Sequence, residues 1–186
     1  MSAPTRESAL ELLKKYNKTE SLQKHAFAVE GVMRYMARKS GEDEEKWGVI
    51  GLIHDLDYER FPGQHCQRVR RILEENGWPE EYIRAVESHG WEICSDVKPE
   101  TLLEKTLYAV DELTGLITAC ALVRPSKSVM DLTVESVMKK WKQPRFAGGV
   151  NRDIIMRGAA LLGADLHSLV ADVIMGMRQV ACEIGL

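Results

Sequence analysis

The stretch Gly51-Leu-Ile-His-Asp-Leu-Asp-Tyr58 places two adjacent polar residues, His54 and Asp55, at the end of an apolar run. Before it, Trp47, Ile50 and His54 recur at intervals of three and four residues, which is the spacing of one face of an α-helix. His54 therefore takes a position on the buried face of this helix, and Asp55 follows at the helix end. The pattern predicts that an imidazole and a carboxylate reach the same edge of the core.

Other polar residues interrupt apolar stripes in the same way, and these are His25, His65, His89 and Asp111. His25 lies three residues after Leu22 and four before Val29, so its ring is expected to point inward. Asp111 lies four residues after Leu107, where a leucine would be usual. An unpaired carboxylate in an apolar interior costs several kcal/mol, so these aspartates need partners.

Two explanations of these residues remain open on the pattern alone. Taken one at a time, each inward histidine is explained by a core hydrogen bond, and Asp55 by a helix cap or a histidine partner. Taken together, four of the five histidines and two aspartates fall on consecutive inward faces, which favours a shared divalent cation. Imidazole and carboxylate donors, with no cysteine in register, suit iron, manganese, nickel, cobalt or zinc rather than calcium.

The rest of the chain predicts an all-α fold, because apolar residues recur at helical spacing and no segment alternates as a half-buried strand does. The run from Leu113 to Val123 is apolar on all sides and is predicted to be a buried helix end. We expect a single domain over residues 1–186, with a core near 20–122 and C-terminal helices packed on it over 126–186. Helices are predicted near 5–16, 20–39, 43–56, 64–76, 80–89, 100–122, 129–141, 151–162 and 165–184.

Composition narrows the function classes. A formal net charge of -3 gives no long-range attraction for nucleic acid polymers or anionic membranes, so a small-molecule partner is expected. The first eleven residues lack the apolar run of a secretory signal, which predicts a soluble cytoplasmic protein. The sequence is compatible with a homodimer but does not require one. Reduced and mostly buried thiols are expected at Cys66, Cys94, Cys120 and Cys182.

The order of these residues resembles the HD-domain superfamily of metal-dependent phosphohydrolases: His25, then His54-Asp55, then Asp111 within Ala109-Val-Asp-Glu-Leu-Thr-Gly115. The resemblance covers roughly residues 20–120. It implies an all-helical bundle and two divalent transition-metal ions bridged by Asp55. Iron or manganese is favoured for these ions, with nickel, cobalt, zinc or magnesium as alternatives.

The resemblance also implies roles for further residues. His65 and His89 correspond to the two extra histidines of binuclear members, such as bacterial diadenosine tetraphosphate hydrolases. The expected reaction is hydrolysis of a nucleotide or another small phosphoester or phosphoanhydride by a metal-activated water. The candidate catalytic residues are Asp55, Asp57 and Lys24. Asp57 could also support a ligand or shuttle a proton, and so could Glu59. Basic residues considered for phosphate binding are Lys24, Arg68, Arg124, Lys127, Arg145 and Arg152.

Two other functions are compatible with the same residues. The pattern of four histidines and two aspartates also resembles the diiron oxygenases of this fold, which cleave carbon–carbon or carbon–phosphorus bonds with dioxygen. A metal-binding regulatory module without catalysis is the third hypothesis, and the intact set of candidate ligands argues against it.

Overall fold

The computed structural model describes residues 3–186, and within that range it contains ten α-helices and no β-strand. The predicted all-α fold is confirmed. The helices are α1 (Arg6–Tyr16), α2 (Glu20–Ser40), α3 (Glu44–Ile53), α4 (Arg68–Glu75), α5 (Glu80–Ser88), α6 (Leu102–Leu122), α7 (Val134–Trp141), α8 (Arg152–Leu162), α9 (Leu166–Gln179) and α10 (Ala181–Ile184). A single 3₁₀ turn at Pro62–Gln64 precedes α4.

The two longest helices, α2 and α6, form the centre of the bundle and contact each other. Each has 21 residues, and the start of α6 and the end of α2 have clear local causes. Thr101 and Glu104 form a capping box at the start of α6, which satisfies two backbone amides there. Gly41 ends α2 in the left-handed conformation, with φ of 71°, and its amide donates to the carbonyls of Ala37 and Arg38.

The C-terminal helices pack closely on this pair, α9 against α2 and α8 against α6. A Cβ on Gly176 of α9 would lie 2.6 Å from Cα of Val32, and one on Gly158 of α8 would lie 2.5 Å from Cα of Ala109. Both distances are too short for any side chain. The two glycines therefore allow helix backbones to approach directly at these crossings.

Several predicted boundaries are wrong, and the reasons are local. The helix predicted over 43–56 ends at Ile53, and the one predicted over 64–76 begins at Arg68. Between them the buried Asp57 accepts a hydrogen bond from the amide of Val69 at 2.9 Å, so it caps α4 from a distant position. The helix predicted over 129–141 begins at Val134, and the one over 165–184 breaks at Val180.

The apolar run at the end of α6 is helical as predicted, but its last residues are not buried. Leu122 is 51% exposed and Val123 is 58% exposed. The run is apolar on every side, so its period could not show where the packing against other helices stops. Among residues 3–186, no single helix has the length and apolar content of a membrane span, and only α8 and α9 taken together reach it, across a bend of 98°.

Candidate metal centre

Four histidine rings meet at one edge of α2, α3 and α6, and each ring has an oxygen partner on Nδ1. The partners are Thr114 Oγ1 for His25 at 3.4 Å, the Gly51 carbonyl for His54 at 2.8 Å, Asp57 Oδ1 for His65 at 2.7 Å and the Val86 carbonyl for His89. The carbonyls and the carboxylate can only accept, and the Thr114 hydroxyl already donates to the Asp111 carbonyl. Each neutral ring therefore carries its hydrogen on Nδ1, and its Nε2 lone pair faces the shared space.

The Nε2 atoms face one another in two pairs. His25 and His54 are 3.2 Å apart at Nε2, and His65 and His89 are 3.3 Å apart at Nε2. Two lone pairs at this distance repel unless a proton or a cation lies between them. The arrangement is the one expected of ligands for a bound metal ion.

Two aspartates complete a first group of donor atoms, around the Nε2 atoms of His25 and His54. Asp111 Oδ1 lies 2.9 Å from Nε2 of His25 and 3.3 Å from Nε2 of His54. Asp55 Oδ2 lies 3.5 Å from Nε2 of His54 and 3.8 Å from Nε2 of His25. Three helices supply these side chains, since His25 is in α2, Asp111 is in α6, and His54-Asp55 directly follow α3.

The other oxygen of Asp55 faces a second group of donor atoms, the Nε2 atoms of His65 and His89. Its Oδ1 lies 3.3 Å from Nε2 of His65 and 3.4 Å from Nε2 of His89. Ligands of a four-coordinate ion with bonds of about 2.0–2.2 Å lie about 3.3–3.6 Å apart. Both groups have separations close to this range, so the donor atoms fit two ions that share Asp55.

The charges of the centre support the same interpretation. Burial acts to raise the pKa of Asp55, but His54 and His89 together outweigh it and hold that pKa well below its usual range. For His54, burial acts to lower the pKa, while Asp55 and Asp111 raise it well above its usual value. Burial acts to lower the pKa of His65, but its bond to Asp57, together with Cys94 and Asp55, raises that pKa to about 10. The two carboxylates therefore need positive charge nearby, from protons or from metal ions.

A cavity of about 290 Å³ opens on this centre. Tyr58 and Ile93 lie at its rim, 46% and 57% exposed, and give it an apolar edge. Glu112 lies inside, where it accepts a hydrogen bond from the Asn151 amide, and burial raises its pKa. Within residues 3–186, the lining contains no lysine or arginine; besides five candidate ligands it consists of Tyr58, Gly90, Ile93, Cys94, Glu112, Gly115 and Gly149.

The six residues predicted to bind metal, His25, His54, Asp55, His65, His89 and Asp111, thus lie around one space. Asp57 is fully buried and contacts His65 and the start of α4 rather than the cavity, so it is placed to support a ligand and not to shuttle a proton. Glu59 contacts Lys18 and Thr19, away from the centre. His167, the remaining histidine of the chain, is exposed.

The interpretation of Lys24 as a catalytic residue does not agree with its position. Its Nζ pairs with Glu20 Oε1 at 2.7 Å and lies beside Gly185. A helical residue next to His25 points about 100° away around the axis, since there are 3.6 residues per turn. The other basic candidates are also absent from the lining within residues 3–186, and Arg124 pairs with Asp131 at 2.9 Å.

Two cysteines that the sequence did not connect also reach the centre. Ligand atoms of Cys66, His65 and His89 lie within 4.8 Å of one another, and Cys94 lines the cavity. A hydrogen bond from Cys66 lowers the pKa of Cys94 to about 5, and His65 also lowers it. The expectation of mostly buried thiols is only half right, because Cys94 is partly exposed and Cys182 is exposed. The one available signal was that Cys66 directly follows His65.

A protein-family model described as HD domain matches residues 22–116, which is just over half of the chain and contains all six candidate ligands. No solved structure matches the chain.

Proposed function

The chain belongs to the HD-domain superfamily of metal-dependent phosphohydrolases, and from this premise we propose that it hydrolyses a small phosphomonoester with two divalent metal ions. The observation that carries the proposal is the convergence of four Nε2 lone pairs on the two oxygens of Asp55 and on Asp111 at the floor of a cavity. This arrangement supports catalysis over a purely regulatory role, because the donor atoms are reached through an open cavity.

The two groups of donor atoms define which residues would hold each ion. His25, His54 and Asp111 with Oδ2 of Asp55 would hold the first ion, and His65 and His89 with Oδ1 of Asp55 the second. Nitrogen and oxygen donors of this kind favour iron, manganese or a neighbouring transition metal. Such ions, when bound, lower the pKa of water towards neutrality and offset negative charge on a phosphoryl group.

The protein's own residues supply orientation. Asp57 holds the His65 ring by its Nδ1, and the Gly51 carbonyl does the same for His54. In the neutral rings these bonds hold the hydrogen on Nδ1 and direct the Nε2 lone pair at the centre. Tyr58 and Ile93 would contact the organic part of a substrate at the rim.

Charge and volume favour a substrate with one phosphate. Two divalent ions, two carboxylates and four neutral imidazoles leave two positive charges, which a phosphomonoester dianion neutralises. A polyphosphate would bring further negative charges towards Glu112, with no lysine or arginine of the described lining to offset them. The volume of about 290 Å³ is also at the small end for ligand sites.

The test is phosphate release by protein loaded with manganese or iron. The panel consists of p-nitrophenyl phosphate, mononucleotides, ATP and diadenosine tetraphosphate. We expect turnover of monoesters, little turnover of the polyphosphates, and loss of turnover on chelation. His54→Ala should be inactive and His167→Ala, which removes an exposed histidine outside the centre, should be active. Undiminished activity after verified metal removal would refute the proposal.

The lack of cationic side chains in the described lining also favours one alternative, a diiron oxygenase that cleaves a carbon–carbon bond, because such a substrate needs no phosphate-binding residues. Oxygen consumption by the iron-loaded protein distinguishes the two functions. A substrate-dependent uptake of dioxygen, together with no phosphate release from any ester, would favour the oxygenase.

A further inference from the structure

The sulfurs of Cys66 and Cys94 meet behind the second group of histidines. Each Sγ lies 2.4 Å from the position that a Cβ would take on residue 90, so the two atoms face each other across the space that Gly90 leaves open. Both thiols are free. No residue other than glycine could occupy position 90 without displacing both sulfurs.

The backbone holds both cysteines in place for this contact. Cys66 has a φ of 65°, in the left-handed region that residues with a Cβ rarely adopt. On the other side, the Gly90 carbonyl accepts hydrogen bonds from the amides of Ile93, Cys94 and Ser95, at 2.9, 2.9 and 3.0 Å. The segment that carries Cys94 therefore forms a tight turn around Gly90. Strained backbone of this kind is concentrated at functional sites.

We propose that Cys66 and Cys94 are a redox modification site, where a peroxide converts the two thiols into a reversible intramolecular disulfide. Cys94 lines the cavity and is partly exposed, whereas Cys66 is 2% exposed, so the peroxide meets Cys94 first. The sulfur of Cys94 attacks one peroxide oxygen, the oxygen–oxygen bond breaks, and the departing oxygen takes up the thiol proton and leaves as water. This step gives a sulfenic acid on Cys94.

The second step closes the cross-link. The sulfur of Cys66 attacks the sulfur of Cys94, the sulfur–oxygen bond breaks, and the hydroxyl group leaves as a second water with the proton of Cys66. The two thiols together lose two electrons and two protons, and one hydrogen peroxide becomes two waters. A dithiol reductant reverses the modification by thiol–disulfide exchange.

The position of the cross-link links it to the metal centre without depending on hydrolysis. Cys66 directly follows His65, and Cys94 lies in the short segment after His89. A disulfide would join the two segments that carry the second group of imidazoles. This property holds whether the centre serves a hydrolase or an oxygenase.

The experiment uses the full-length protein as purified, reduced, desalted and then treated with a small excess of hydrogen peroxide. Free thiols are alkylated, and peptides are analysed by mass spectrometry without reduction. We expect one intramolecular peptide pair joined between residues 66 and 94, its disappearance after dithiothreitol, and alkylated thiols at 120 and 182. Cys182→Ser, the matched control on an exposed thiol, should form the same pair, and Cys94→Ser should form none.

Three results would overturn the proposal. One is that Cys66 and Cys94 both stay alkylatable while Cys182 is oxidised. Another is that Cys94 reaches the sulfinic acid while Cys66 stays free. The third is that the cross-links formed are intermolecular. Circular dichroism of Cys94→Ser shows whether that variant is folded, and the peptide map of the unmodified protein decides the question without any variant.

Discussion

The first and second groups of donor atoms, the two halves of the metal centre, are built on different kinds of backbone. His25 and Asp111 project from the interiors of the two longest helices, α2 and α6. His65 lies between a 3₁₀ turn and α4, and His89 is the C-terminal cap of the nine-residue helix α5. The residues that follow the second pair include two with left-handed φ, Cys66 and Glu92.

This difference indicates how the two ions would be held. Side chains on long packed helices are positioned by many contacts at once, so the first group is expected to keep its geometry with or without an ion. The second group depends on short segments, where local opening costs less free energy. We therefore expect the first position to bind its ion tightly, at low metal concentration, and the second position to bind its ion with lower affinity.

The largest effect is expected from Asp55→Asn, because Asp55 directs one carboxylate oxygen at each half of the centre. The amide keeps the shape and removes the shared charge. Both ions should be lost, and activity should fall by about a thousand-fold or more, as for other members of a catalytic unit. Metal analysis and phosphate release check this. The exposed Asp131→Asn is the control, and retention of two ions by Asp55→Asn would contradict the bridging role.

A smaller effect should separate the halves. His65→Ala is expected to lower the stoichiometry from two ions to one and to reduce activity by more than about a hundred-fold, since supporting residues alone contribute up to that much. The first ion should remain, because His25, His54 and Asp111 are untouched. Titration with manganese, followed by metal analysis after gel filtration, measures the stoichiometry.

The same experiment on His54→Ala supplies the contrast. This ring is fully buried against Gly51, so its loss should reduce both the first ion and the free energy of unfolding. Equal metal losses and equal thermal midpoints for the His65 and His54 variants would show that the two halves do not differ.

A third effect concerns support of the second half alone. Asp57→Asn replaces the carboxylate that holds His65 and caps α4, so the affinity for the second ion should fall about 10- to 100-fold while the first stays unchanged. Calorimetric titration measures the two affinities separately. Glu59→Gln, on the same turn but bonded to Thr19, should leave both unchanged. A loss at the first position would contradict the separation.

The smallest effect is a pH dependence of the second position. The pKa of His65, about 10 in the metal-free protein against an ordinary 6.5, means that its ring is protonated at pH 7. The stability from this charge is fully present below pH 6.5 and is lost as the pH rises through about 10. An ion needs the neutral ring, so its binding at pH 7 should release protons, and its affinity should rise with pH up to that value.

Calorimetry in buffers with different ionisation enthalpies counts the protons released. Asp57→Asn removes the main cause of the raised pKa and should release fewer protons at the second position. Proton release that is unchanged in this variant would contradict the assignment to His65.

The sequence predicted the fold class and the helix-borne ligands for a physical reason. The period of 3.6 residues determines which side of a helix is buried, so His25 and Asp111 could be assigned to inward faces. The same reasoning weakens beyond helix ends. It extended α3 through Asp55 and began α4 too early, so the capping contact of Asp57 did not appear.

The helical period of the apolar residues could not predict contacts between turns. Cys66 and Cys94 are 28 positions apart in the chain, and only the left-handed residue at 66 and the missing side chain at Gly90 bring the sulfurs together. Lys24 was a candidate as a cation for phosphate and directly precedes His25, but the rotation between successive helical residues directs it towards Glu20. Adjacency in sequence is a poor guide to adjacency in space on a helix.

The direct backbone contact at Gly176 affects how the first half of the centre opens. Since α9 packs there on Val32, and α3 packs on another side of the same helix, the amides of α2 are held from two directions. We expect their hydrogen–deuterium exchange to require global unfolding, while the turns around His65 exchange through local fluctuations. A change as small as Gly176→Ala, on a helix that contributes no candidate ligand, would then speed exchange beside His25, so inherited variation at the far side of α2 would reach the metal centre.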